Sequence, residues 1–312
     1  MISSIFGKTK PINFIILLGF LFFFYWCVQY YLLHKDLEAP QVLVGMLVCG
    51  ILLFSVFVVD FVVKRNKLTG TNSYAMLFFT LLVVVFPETL SDTNTILCTF
   101  FLLLATRRLL SIKSLKNSKL KIFDATLWIM ISSLFYDWAV LYIILVLAAI
   151  YIYDPKNIRN WLVIFSGIFC FFLLLFGMLI LIGRVDFFEA HYTFSIDLEA
   201  IYPPKWWSSI KLTLYVLANI LLAFAAFLRL GKSGVGKIVT MRLIALSFAI
   251  GLAVNILVAT DTTLAIMVTF FPSVIFVTNY IESIKKQNLL EVILILSIFL
   301  PIVVFVSKLM IS

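Results

Sequence analysis

Residues Phe123 to Asp154 read FDATLWIMISSLFYDWAVLYIILVLAAIYIYD, apolar throughout except for Tyr136-Asp137-Trp138 at the middle. As one helix these roughly 32 residues would run to about 48 Å, against a hydrocarbon core of about 30 Å. Such a helix would also hold Asp137 at its centre, where an unpaired carboxylate costs roughly 2.5–3.5 kcal/mol. Two short helices turning at Tyr136-Asp137-Trp138 avoid both problems. The preceding stretch, Tyr74 to Lys113, repeats the pattern and turns at Pro87-Glu88-Thr89-Leu90-Ser91-Asp92. Two successive short hairpins with carboxylates at their tips predict a cavity opening on one side of a membrane.

The rest of the chain agrees with that setting. Of its 312 residues 63% are hydrophobic and 12% charged, where soluble domains run nearer 45–50% and 25%. Apolar runs of about 15–22 residues recur from end to end, without the alternating strands of about 10 residues that a β-barrel requires. The fold class is therefore all-α, a polytopic helical membrane protein forming one integral membrane domain over 1–312. Cys27, Cys49, Cys98 and Cys170 all fall inside apolar runs, without metal-ligand spacing, and read as small core hydrophobes. The basic N-terminal flank leads into an apolar run of about 20 residues with no small-residue cleavage site after it, which reads as a retained first helix.

About 11 membrane helices are expected: near 12–33, 41–63, 74–86 and 95–110, a pair within 123–154, then 161–182, 210–227, 239–258, 263–280 and 289–306. With the N-terminus in the cytoplasm and every segment crossing, about 19 of the 24 Lys and Arg fall on the cytoplasmic side and about 10 of the 15 acids on the other. The sequence thus predicts a cytoplasmic N-terminus and a C-terminus on the far side, with the acidic face towards the periplasm or exterior. The net charge of +9 follows from that asymmetry and needs no nucleic-acid partner.

The candidate chemistry lies on the acidic side. Asp36 and Glu38 in the first external loop could serve as a general base, or hold a divalent ion bound to a phosphate. Glu88, Asp92 and Asp137 at the hairpin tips either converge, with one acid, Asp137 foremost, acting catalytically on a substrate that enters from outside, or mark where the chain leaves the membrane, with Asp92 or Asp137 capping a helix. Aromatic neighbours would partly desolvate Asp137. Asp261, with Asn255, could face the same cavity. In the aromatic loop 183–208, Arg184, His191 and Lys205 could grip a lipid phosphate, Val185 to Tyr192 could form a short interfacial helix, and Trp206 and Trp207 could anchor the next membrane helix at the interface. On the basic side Asp60 reads as an ion pair with Lys64 one turn on, and Asp124 as a helix N-terminal residue. Pro272 and Pro301 are expected to kink their helices. Gly231-Lys-Ser-Gly-Val-Gly-Lys-Ile238 approaches a phosphate-binding loop but ends in Ile238 where Ser or Thr would hold magnesium; it reads as a basic connector. No cofactor, haem, flavin or Cys/His metal site is indicated.

The run LCTFFLLLATRR over 97–108, the basic loop after it, and FDATLWIMISSLFY over 123–136 resemble a pattern of the GT-C superfamily of polytopic glycosyltransferases. The whole chain also resembles a family of bacterial multi-pass membrane proteins whose function is not assigned. The GT-C resemblance covers about 60 residues. It implies GT-C-like helices over 1–182, an external aromatic loop over 183–208 and further helices over 209–312. It also implies a polyprenyl-phosphate sugar as lipid substrate and a catalytic carboxylate in the first external loop, where Asp36 and Glu38 stand. That loop is usually long and helical; here it is about seven residues, a form that would also suit a scaffold without activity. Three readings result: a cell-envelope transferase using a lipid carrier at the outer leaflet, a non-catalytic subunit with a membrane-protein partner, and a transporter. The last would need intramembrane polar residues in both halves, which the sequence mostly lacks.

Overall fold

The computed structural model describes residues 2–33, 39–194, 206–230, 234–258 and 264–311. These are mostly helical, with no strand among them. In order they form α1 (Ile2–Phe6), α2 (Pro11–Cys27), α3 (Ala39–Asn66), α4 (Tyr74–Val85), α5 (Thr93–Ser111), α6 (Ser118–Ser132), α7 (Ile143–Tyr153), α8 (Ile158–Ile182), α9 (Phe187–His191), α10 (Trp206–Leu230), α11 (Val235–Val258), α12 (Phe270–Glu282) and α13 (Gln287–Ile311). A π turn, Val28–Leu32, extends α2, and tight 3-10 turns occupy Pro87–Leu90, Asp137–Tyr142 and Ala265–Thr269.

Eight segments among the described residues are long and apolar enough to cross a membrane: 11–32, 39–66, 93–114, 158–182, 210–229, 236–258, 265–282 and 287–306. The chain is thus a helical, membrane-embedded protein. The other three expected helices are shorter. At 1.5 Å per residue α4, with 12 residues, is about 18 Å long and α6, with 15, about 23 Å, while the 137–153 run joins a six-residue 3-10 turn to the 11 residues of α7. Short elements are tolerable only where protein, not lipid, satisfies the backbone at their ends. That condition holds for α4, which is buried at every position from Tyr74 to Leu81 and packs against α2, α3, α12 and α13. The 265–269 turn is likewise wholly buried, against α5 and α11. Around this centre, α8, α10 and α13 turn broad apolar faces outward, as at Leu174, Leu221 and Leu300.

Close approach in the core depends on small residues. A Cβ on Gly251 of α11 would stand 2.9 Å from Thr269 Cγ2 and 3.0 Å from the Tyr142 hydroxyl, and one on Gly167 of α8 would stand 3.0 Å from Thr126 Cβ of α6. Sparse polar bonds lock the helices together, as expected where apolar burial does not drive association. The Tyr215 hydroxyl lies 2.8 Å from Thr269 Oγ1 and 2.5 Å from Ser273 Oγ, and Tyr142 donates to the Ser247 carbonyl at 3.1 Å.

The basic end of the bundle is tied by backbone capture. Glu291 accepts from the amides of Ile2 and Ser3 at 3.1 and 3.2 Å, and Glu282 accepts from the Gly70 amide and the Asn72 side chain at 2.7 and 2.6 Å. Lys64 pairs with Asp60 at 2.6 Å, as the spacing implied. Two expectations are corrected. Asp124 is not at a helix start: α6 begins six residues earlier, at Ser118, and Asp124 projects from it to Arg108 at 3.0 Å. Pro272 does not kink a helix, because the chain enters α12 by a 3-10 turn and the proline falls in the first turn, where its missing N–H costs nothing. Pro301 does lie inside α13.

Candidate functional site at the hairpin tips

The two short hairpins end at the same side of the molecule and are bonded to each other. Pro87 opens a 3-10 turn that carries the chain out of α4, and Asp92 then caps α5, accepting from the Asn94 amide at 2.9 Å. The second hairpin turns at Ser133–Tyr136. Its Tyr136 hydroxyl donates to Asp92 Oδ2 and also meets Thr95 Oγ1 at 2.6 Å. Burial, and then the Asp92 charge, push the Tyr136 phenol well above its ordinary 10.0. It is therefore a fixed neutral donor, a clasp between the tips.

Two further segments reach this clasp. Gln29, in the π turn that extends α2, donates to the Leu90 carbonyl at 2.8 Å. Lys211 of α10 pairs with both oxygens of Glu88 at 2.8 and 3.0 Å, donates to the Val85 carbonyl at 3.2 Å, and lies 4.8 Å above the Phe86 ring. On the other flank, α9 folds back on the second tip. His191 Nε2 sits 2.7 Å from the Ser133 carbonyl, the Tyr192 hydroxyl 3.0 Å from Ser133 Oγ, and the Phe194 amide donates to Asp137 Oδ2 at 2.9 Å. Asp137 Oδ1 accepts from the Trp138 amide at 2.7 Å. Burial raises the Tyr192 phenol above its ordinary value, so it too stays neutral.

Beside Asp137 and His191 lies a recess of about 310 Å3, walled by Met130, Val140, Ile143, Ile168, Phe172 and Phe188 and flanked by Tyr192 and Phe194. Its lining is apolar, suited to hydrocarbon rather than to a sugar or an ion. Deeper in, between Phe79, Thr99, Tyr142, Ser247 and Phe271, only about 10 Å3 is open, about the least that a single water needs.

The sequence-predicted residues thus divide. Glu88, Asp92, Asp137 and His191 are brought to one end of the bundle, each half-buried and each already hydrogen-bonded. Arg184 is exposed, just beyond Gly183, the glycine whose φ of 71° closes α8. Asp36, Glu38, Lys205 and Asp261 lie outside the described residues, as do residues 231–233 at the start of the glycine-rich connector. The expected short helix within Val185–Tyr192 is present as α9. Sequence reasoning missed Tyr136, Lys211, Gln29 and Ser133. No local signal marks Lys211 as the partner of Glu88, 123 residues earlier. Tyr136 stood next to a singled-out acid and could have been weighed as its donor.

No family model matches the chain, and no curated protein or solved structure matches it either.

Proposed function

We propose that this chain is a GT-C-like protein of the bacterial inner membrane, with its N-terminus in the cytoplasm and its C-terminus in the periplasm. In this reading it transfers a sugar from a polyprenyl-phosphate carrier at the outer leaflet. One observation carries the reading. The second hairpin and the segment after α8 line an apolar recess of about 310 Å3, and the first tip is tied to the second through Asp92 and Tyr136, so a lipid tail and a polar headgroup could be held side by side. The tips bring α2 with them through Gln29, so the first external loop departs from the same place. In the transfer, the bond from the sugar to the carrier phosphate breaks with its electron pair leaving on the phosphate. A bond to an acceptor hydroxyl forms, and that hydroxyl's proton passes to a carboxylate. Asp36 and Glu38 are the carboxylates that the family resemblance offers for this step. Asp137 accepts two main-chain amides and Asp92 a phenol and an amide. Their role is to position the tips, not to carry the proton.

A second reading, a non-catalytic membrane subunit, is favoured by a separate observation: Glu88, Asp92 and Asp137 are all consumed in bonds that hold the fold, and the interior is filled. One experiment separates the two. The purified chain, reconstituted with a polyprenyl-phosphate sugar and a range of hydroxyl acceptors, is followed for carrier release, alongside D36N/E38Q. Carrier release by the wild type and its loss in the variant, with the lipid still retained, supports the transferase. No release by either, together with a membrane protein that co-purifies at fixed stoichiometry, supports the subunit.

A further inference from the structure

At the opposite, basic end, α2, α3 and α5 leave a groove of about 730 Å3. Phe14, Phe54, Phe57 and Phe61 wall it, and Lys64, Arg65 and Arg107 stand at its rim against one acid, Asp60. Asp60 is taken by Lys64 at 2.6 Å. Arg65 and Arg107 have no carboxylate partner among the described residues. Arg107 lies 4.8 Å over the Phe61 ring. That contact occupies a face of the guanidinium and leaves its edge N–H donors free for a planar pair of oxygens. Phe54, Phe57 and Phe61 are exposed along one stripe of α3, on the surface a bilayer would cover.

We propose that this groove seats one anionic diacyl phospholipid of the leaflet at the basic end, its phosphate between Arg65 and Arg107 and an acyl chain along the phenylalanine wall. Charge complementarity sets the headgroup: two unpaired guanidinium groups stand in a site with no free acid. The exposed aromatic wall sets the tail, because a soluble anion would leave it bare. Basic clefts between membrane helices recognise acidic headgroups on this principle. The inference is independent of the transferase reading, which concerns the other end of the molecule.

The test uses the full chain in nanodiscs of equal phosphatidylglycerol and phosphatidylcholine, released into mild detergent and weighed by native mass spectrometry. The wild type should retain one phosphatidylglycerol in preference to phosphatidylcholine, and R65Q/R107Q should lose that preference by about tenfold or more. R65K/R107K keeps the charge and should retain most of it. If the double glutamine variant fails to fold, R65Q alone serves, because Arg65 is exposed; its preference should also fall. Equal retention of the two lipids by the wild type, or unchanged preference in R65Q, would overturn the proposal. Displacement of the lipid by inorganic phosphate would also overturn it, and would assign the groove to a soluble anion.

Discussion

At the residue scale, the carboxylates are distinguished by what already holds them. Asp92 caps a helix and receives the Tyr136 hydroxyl, so Asp92→Asn, which keeps a capping oxygen, should cost less than Asp92→Ala, for which about 0.5–2 kcal/mol is expected from the cap alone. Tyr136→Phe leaves the carboxylate without its buried donor and should cost about 1–3 kcal/mol. Chemical unfolding in a fixed detergent reads both. The pH dependence comes from the raised phenol. Its folded value lies above the ordinary 10.0, so from neutral pH up to that ordinary value the phenol stays protonated and the clasp contributes fully. The contribution is lost only as pH climbs through the raised value. Wild type and Tyr136→Phe should therefore differ by a constant amount from neutral pH to the ordinary tyrosine range. A gap that narrows below that range would mean the phenol is not held as described.

At the scale of elements, helices meet through one small residue or one ion pair. Gly251→Ala places a methyl 2.9 Å from Thr269 Cγ2, in a wholly buried turn that has little room to yield. A loss of about 1–3 kcal/mol is expected, seen as a lower unfolding midpoint. The union of α10 with the first hairpin rests on Lys211 and Glu88, half-buried and doubly bonded. A double-mutant cycle over Lys211→Met and Glu88→Gln should give a coupling of about 1.5–3 kcal/mol; a coupling near zero would show that this pair does not hold α10 to the first hairpin. The short helices were readable from length and hydropathy, and Asp92 as a cap from its place before α5. The 3-10 entry to α12 was not, because an apolar run has the same composition whether it coils as a tight turn or as an α-helix.

At the scale of the molecule, the number of crossings fixes where the termini lie. If all eleven expected segments cross, the two termini lie on opposite sides of the membrane; if only the eight long ones do, they lie on the same side. Single cysteines at Lys116 and Arg184, in a background lacking the four native cysteines, should react with a membrane-impermeant thiol reagent from opposite sides. A reporter at the N-terminus should then side with Lys116. Its siding with Arg184 would leave an even number of crossings. The gathering of tips at one end and of lysines and arginines at the other is common to both counts.

Hydropathy and charge in the sequence were enough to establish a helical membrane protein, two short hairpins with acidic tips, a basic end, and the Asp60–Lys64 pair, because each depends on local composition or on spacing within one helix. Only the tertiary structure decided what those acids do. Whether a carboxylate is a free base or a structural acceptor depends on donors such as Tyr136, 44 residues away, Lys211, 123 away, and the Phe194 amide, 57 away. Those separations close only when the helices pack. The groove at Arg65 and Arg107 was hidden for the same reason: its walls come from three helices, and nothing within any one of them shows that two arginines share a cleft with a row of phenylalanines.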